Sequence, residues 1–323
     1  MGAELHIGEP WMWAAFVGFV LVMIAVDLFL VGGNKAHRVG FKEAAAWSLV
    51  WFTLAMLFNL GLWWYLKGTY GGEVAIVKAE EFLTGYLIEK TLAVDNIFIF
   101  LMIFTFFAVP EEYQRRALIY GVIGAIVLRA IMIVAGAWLV QEFHWILYLF
   151  GAFLVVTGIK MLMFAEVEPD LNKNPLLSWV KRHLRLTPDY RGEKFWVREN
   201  GVLVFTPLFL VLVMIELTDV IFAVDSIPAI FAITTDPFIV FTSNIFAILG
   251  LRAMYFMLAG MAGRFHLLKY GLAMVLVFVG TKMLIVDYYK IPAELSLGIV
   301  SVIIATFMLA SLWGTRNKPS RPA

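Results

Sequence analysis

The sequence predicts an all-α, polytopic membrane protein with about nine transmembrane helices, organised around an inverted repeat of two three-helix units. Three observations carry that expectation. The chain is 62% hydrophobic and only 15% charged, whereas a soluble chain carries roughly a quarter charged residues. Apolar runs recur along its length, on the scale needed to cross a hydrocarbon layer of about 30 Å. Finally, one acidic motif occurs twice inside those runs. Glu89-Lys-Thr-Leu-Ala-Val-Asp95-Asn-Ile97 aligns with Asp219-Val-Ile-Phe-Ala-Val-Asp225-Ser-Ile227.

Composition also excludes several classes. A net charge of +1 leaves no electrostatic case for nucleic acid. The absence of cysteine removes disulfides, zinc–thiolate sites and thiol nucleophiles. Met1 to Pro10 lacks a basic leader, so the first apolar segment reads as a membrane span and not as a cleaved signal.

Residues 1–81 hold two spans, Trp11 to Val31 and Ala44 to Leu66, and an outer loop; Trp63-Trp64-Tyr65 forms an interfacial belt at the end of the second. Asp27, near the end of the first, fits a solvated helix end as well as a site. The first repeat, 82–164, contains Phe82 to Ala108, Leu118 to Val140 and Phe143 to Phe164. A basic linker, 165–200, follows, with one amphipathic helix expected around Leu176 to Leu186. The second repeat, 201–287, contains Val202 to Ile233, a tight turn at Thr234-Thr-Asp-Pro237, then Phe238 to Met261 and Leu267 to Val286. The last span, Pro292 to Trp313, and a basic tail occupy 288–323. Lys and Arg concentrate in alternate loops, which puts the N-terminus outside and the C-terminus in the cytoplasm.

Two further echoes support the repeat. Leu128-Arg129-Ala130 recurs as Leu251-Arg252-Ala253, and the stretch ending Lys160-Met-Leu162 recurs as Lys282-Met-Leu284. Each copy has an odd number of spans, so the second must be inserted upside down. Inverted repeats of this kind are a mark of secondary transporters, with the substrate site where the paired motifs meet.

Intramembrane acids point to that site. Each ionised acid near mid-membrane costs on the order of 2.5–3.5 kcal/mol on insertion scales, so its default reading is functional. Residues six apart on an ideal helix point about 240° apart. Glu89 and Asp95 therefore cannot both face one pocket from a straight helix, whereas Glu216 and Asp219 share a face. Pro228 predicts a broken or kinked helix through Ala223 to Pro228. Glu89, Asp95, Asn96, Glu216, Asp219, Asp225 and Ser226 make an all-oxygen set suited to Mg²⁺, Ca²⁺ or Mn²⁺. Arg129, Lys160, Arg252 and Lys282 are the charge-compensating or gating candidates. With Lys90 they also define the competing account, a network in which five bases neutralise five acids as buried ion pairs with no ligand. In a mixed account, bases hold the acids until a cation arrives. Asn59 and Asn244 read as interhelical hydrogen-bonding residues, and none of the five histidines pairs at ligand spacing.

At these residues the chain resembles the TerC family of bacterial membrane proteins, in its Alx-like branch. The likeness runs through Ala-Ala-Ala-Trp-Ser-Leu-Val-Trp (44–51), Phe-Leu-Thr-Gly-Tyr-Leu-Ile-Glu-Lys (82–90), Ala-Val-Asp-Asn (93–96), Glu216 to Ala229 and Thr242 to Tyr255. The resemblance implies Mn²⁺ export across the bacterial inner membrane and metalation of exported proteins, with an association with tellurite resistance by name. It implies Glu89, Asp95, Glu216, Asp219 and Asp225 as the metal-handling acids, and it selects Mn²⁺ where the residues alone leave the hard cation open. The expected partners are the lipid bilayer, the divalent ion as transported substrate, coupling protons and a secretion-machinery protein, with no organic cofactor. No nucleotide-binding motif is present, so an ion gradient would drive transport. The alternative function is a metal-handover partner that is not itself a transporter. An intramembrane aspartyl enzyme is disfavoured because its Gly-x-Gly-Asp type of motif is absent, so no catalytic residues are expected.

Overall fold

The computed structural model describes residues 7–26, 40–143, 145–163, 184–199, 201–259, 267–289 and 291–316; a few side chains inside its helices, including those of Asp95 and Asp225, lie outside that description. The chain is mostly helical. In order, α1 spans Pro10–Val26, α2 Phe41–Tyr70, α3 Gly72–Phe106, α4 Glu111–Glu142 and α5 Ile146–Met163. Strands β1 (Trp196–Glu199) and β2 (Val202–Phe205) come next. They precede α6 (Pro207–Phe231), α7 (Pro237–Leu249), α8 (Leu251–Ala259), α9 (Leu268–Leu284) and α10 (Ala293–Arg316).

Among the described residues, helices overlap the expected segments. Five are long and apolar enough to cross a membrane: α2, α4, α5, α6 and the continuous stretch Pro237–Ala259 made by α7 and α8. The apolar parts of α1 and α10 are shorter. Helix α3 has 35 residues, so it is about 52 Å long, and it carries Glu73, Lys78, Glu80, Glu81, Glu89, Lys90 and Asp95.

Three sequence expectations are corrected. The chain is not wholly helical, because β1 and β2 pair antiparallel with Glu199 opposite Val202. Before β2, Gly201 stands at φ 79°, the left-handed conformation that hairpin loops require. The sixth span therefore starts at Pro207 and not at Val202. Pro228 does not break its helix: α6 runs through to Phe231, and Pro228 lies in the last turn, where one missing N–H disturbs little. The interruption falls instead at Gly250, between α7 and α8. The expected amphipathic helix and Asp27 lie largely or wholly outside the described residues; Leu184 to Leu186, its described end, is not helical, and Leu186 bridges to Phe205.

Helix α7 is the centre of the bundle, with every residue from Phe238 to Leu249 buried. Its start is fixed by Asp236, whose carboxylate accepts from the Phe238 N–H at 3.0 Å, with Pro237 in the first turn. The turn expected at Thr234 to Pro237 is thus present. Around α7 lies an aromatic layer in which Phe58 meets Phe246 at 4.9 Å and Phe82 at 5.3 Å between ring centroids.

Lipid removes the hydrophobic drive between helices, so close packing depends on small residues. A Cβ on Gly151 of α5 would sit 2.9 Å from the Gly280 carbonyl oxygen of α9, and one on Gly280 would sit 2.7 Å from that of Gly151. A Cβ on Gly158 would likewise sit 2.8 Å from the Ala273 carbonyl oxygen. The α5–α9 crossing therefore brings backbone against backbone. At the end of α3, the Tyr190 hydroxyl donates to the Phe107 carbonyl at 2.7 Å and docks the 184–199 segment there. Burial pushes the Tyr190 phenol up to about 12.

Candidate functional site

Three helices deliver one polar side chain each to the middle of the bundle, and α3 delivers two. Glu89 and Asn96 come from α3, Arg129 from α4, Asp219 from α6 and Asn244 from α7. All five are at most 3% exposed. The Arg129 guanidinium holds Asp219 through two bonds, Nε to Oδ2 at 3.1 Å and Nη2 to Oδ1 at 2.9 Å. Its Nη1 pairs with Glu89 Oε1 and also reaches Asn244 Oδ1 at 3.3 Å. Asn244 Nδ2 donates to the other Glu89 oxygen at 3.2 Å, and Asn96 Nδ2 donates to Asp219 Oδ1 at 3.3 Å. The planar fork of an arginine suits this sharing between two carboxylates better than a lysine would. Two carboxylates and one guanidinium leave a formal charge of −1.

Among the described residues, three buried oxygens on the same helices have no hydrogen-bond partner: Asn96 Oδ1, Glu216 Oε2 and Ser226 Oγ. All three belong to the oxygen set expected from sequence. Glu216, Asp219 and Ser226 fall on one face of α6, three and seven residues apart. Glu216 lies flat against the backbone of α4 at Gly124, where a Cβ would collide with its carboxylate. Two turns of α4 share this role, since Gly121 likewise admits Ile215.

The other expected residues divide. Asp95 and Asp225 are in α3 and α6, but their side chains lie outside the described residues. Among the described residues, no three acids or histidines converge tightly enough to hold a metal ion. Arg252 is buried on α8. Lys160 stands exposed in the last turn of α5 and does not enter the Arg129 cluster. Lys282 belongs to a different place. It is 9% exposed and lines a cavity of about 280 Å³ with Lys78, Glu81 and Thr234. There Lys78 Nζ contacts Glu81 at 2.9 Å and Asp236 at 3.6 Å, and the Thr234 hydroxyl donates to Glu81 at 2.7 Å.

Two participants did not stand in the expected site set. Asn244 was expected as an interhelical hydrogen-bonding residue, which it is, but its partners are Glu89 and Arg129. Lys90, beside Glu89, was expected only as one of the bases of an ion-pair network. Its ammonium donates to the Ala247 carbonyl at 3.2 Å, at the C-terminal end of α7, where a cation is favoured. Gly250 keeps that space open, since a Cβ there would be 2.5 Å from Lys90 Nζ.

Comparison with known proteins agrees with this architecture. Residues 75–319 match the model described as Integral membrane protein TerC family. A protein of Escherichia coli (strain K12) named "Putative membrane-bound redox modulator Alx" is 59% identical over 98% of both chains. One of the same name from Salmonella typhi is 57% identical, again over 98% of each. An uncharacterized membrane protein of Myxococcus xanthus, STKORF319, is 48% identical over 98% of this chain and 97% of its own. No solved structure matches. With relatives that align from end to end and a family match over most of its length, the chain belongs to the integral membrane protein TerC family.

Proposed function

We propose that the protein is a secondary transporter that exports Mn²⁺ across the bacterial inner membrane, through a site centred on Glu89 and Asp219. One observation carries the reading. Acids at corresponding positions of the two sequence echoes share a single buried guanidinium, and Asn96, which donates to Asp219, keeps a buried amide oxygen with no partner among the described residues. Buried carboxylates need a counter-charge in every state. Arg129 supplies it when no cation is bound. An arriving divalent cation takes Glu89, Asp219, Glu216, Asn96 and Ser226, with Asp95 and Asp225 completing the oxygen shell, and Arg129 withdraws.

Spans three to five and six to eight form the inverted repeat in this reading, with the N-terminus outside. The backbone crossing supports it, since Gly158 and Gly280 occupy matching repeat positions and each meets a carbonyl on the opposite helix. Rocking of one unit against the other exposes the acids to each side in turn. Protons returning on the same carboxylates drive export. A redox role of the kind named in the relatives would have to run without a thiol of this chain. Control of the supply of a redox-active metal meets that condition.

The test is Mn²⁺ flux in proteoliposomes, with Mg²⁺ and Ca²⁺ as competitors. Wild type shows saturable flux that depends on the proton gradient, and Glu89→Gln, Asp219→Asn, Asp95→Asn and Asp225→Asn each lose it by tenfold or more. Export that ignores the gradient removes proton coupling. Absence of wild-type flux, with Mn²⁺ binding retained, replaces transport by metal handover to secretion machinery. Absence of both leaves the Arg129 cluster as a structural ion-pair network.

A further inference from the structure

The β1–β2 hairpin sits where α4 and α6 both begin, and it walls a second cavity far from the acids in sequence and chemistry. That cavity measures about 820 Å³. Arg116 and Tyr120 from the first turns of α4, Leu212 from α6, and Lys194, Phe195 and Trp196 from the hairpin arm line it, together with Arg198. The charges are unbalanced. Arg116 is 3.5 Å from Glu193, and Glu199 is taken by Arg191 at 3.1 Å. Lys194 and Arg198 have no acidic partner among the described residues.

Aromatic rings surround these cations. The Arg116 guanidinium lies 5.8 Å from the centroid of Tyr120 and 5.7 Å from that of Phe195. Its Nε is buried and unbonded. On the hairpin, side chains alternate between faces, so Trp196, Arg198 and Leu203 share one. Trp196 is 56% and Leu203 47% exposed. An exposed Trp and Leu beside unpaired bases, level with the starts of two membrane-length helices, is the composition of a membrane–water interface.

We propose that this cavity binds the headgroup of an anionic phospholipid. Lys194 and Arg198 would receive the phosphate, while Trp196 and Leu203 rest at the acyl boundary. The charge fits an anion, and the lateral position beside α4 and α6 fits a lipid better than a soluble ligand. The assignment is independent of what the Arg129 cluster carries.

The experiment is native mass spectrometry of the full-length detergent-solubilised protein titrated with phosphatidylglycerol or phosphatidylcholine. Wild type retains phosphatidylglycerol in preference. The double variant Lys194→Gln/Arg198→Gln weakens that retention by roughly tenfold or more, on the scale of two basic residues at a charged surface. Trp196→Ala weakens retention of both lipids. Thermal midpoints without added lipid stay at the wild-type value, which separates lost binding from lost fold. Equal retention of phosphatidylglycerol by wild type and the double variant overturns the proposal. So does displacement of the lipid by inorganic phosphate at equal concentration, which would make the site one for a free anion. Competition by a soluble acidic peptide would likewise overturn it and give the surface to a protein partner.

Discussion

Helix α3 carries charge at two depths, and the two places are built differently. At Glu89 one guanidinium is shared by two carboxylates, with two asparagines completing the shell, and the paired side chains are 0–4% exposed. Nearly three turns earlier, Lys78 serves Glu81 and Asp236 beside an open cavity, with Lys78 and Glu81 side chains 11% and 13% exposed. The first cluster depends on planar geometry in a dry interior, the second on a flexible point charge at the edge of water. Removing one partner therefore has different consequences. In the interior it strands a desolvated charge; at the edge water takes the vacated position.

Mutations can test that contrast. The largest effect is expected at Arg129→Met, which leaves two buried carboxylates unpaired and should destabilise the protein by about 3–5 kcal/mol, read as a fall in the detergent unfolding midpoint. Adding Asp219→Asn should recover a substantial part of that loss. Arg129→Lys should fall between the two, because it keeps the charge and loses the two-point grip on Asp219. Asn244→Ala should cost about 1–3 kcal/mol, since Glu89 and Arg129 each lose a buried partner. Lys78→Met should be the smallest, because water in the adjoining cavity can replace the ammonium beside Glu81, and that effect alone should shrink when salt is raised in the same unfolding assay. A Lys78→Met loss as large as that of Arg129→Met would abolish the distinction.

The sequence reaches this contrast only in part. Spacing found Glu89 and Asp219 as partners, because an acid in an apolar run is conspicuous and the pattern repeats. Four bases were candidates to meet them, and helical period cannot say which one does. Arg129 enters the cluster, Lys282 belongs to the Lys78 cavity, and Lys160 faces outward; that choice is made by how α4, α5 and α9 pack. Asn244 was read correctly as a bridging residue, yet its bridge to the acids depends on the central placement of α7. The hairpin was legible and overlooked. Asn200-Gly201 is the strongest short hairpin signal, but Val202 to Phe205 merges into an apolar run that reads as the start of a helix. Pro228 misled for the opposite reason, since a proline near a helix end has little left to interrupt.

Gly124 gives the site an unusual handle. Its missing side chain is the seat on which the Glu216 carboxylate rests. Position and charge of an acid are normally altered together, because the usual probe is to replace the acid itself. Here one methyl group on the neighbouring helix displaces a carboxylate while leaving every ionisable group in the protein untouched. Geometry at Glu216 is thereby an independent variable, adjustable from α4 without editing the acidic motif at all.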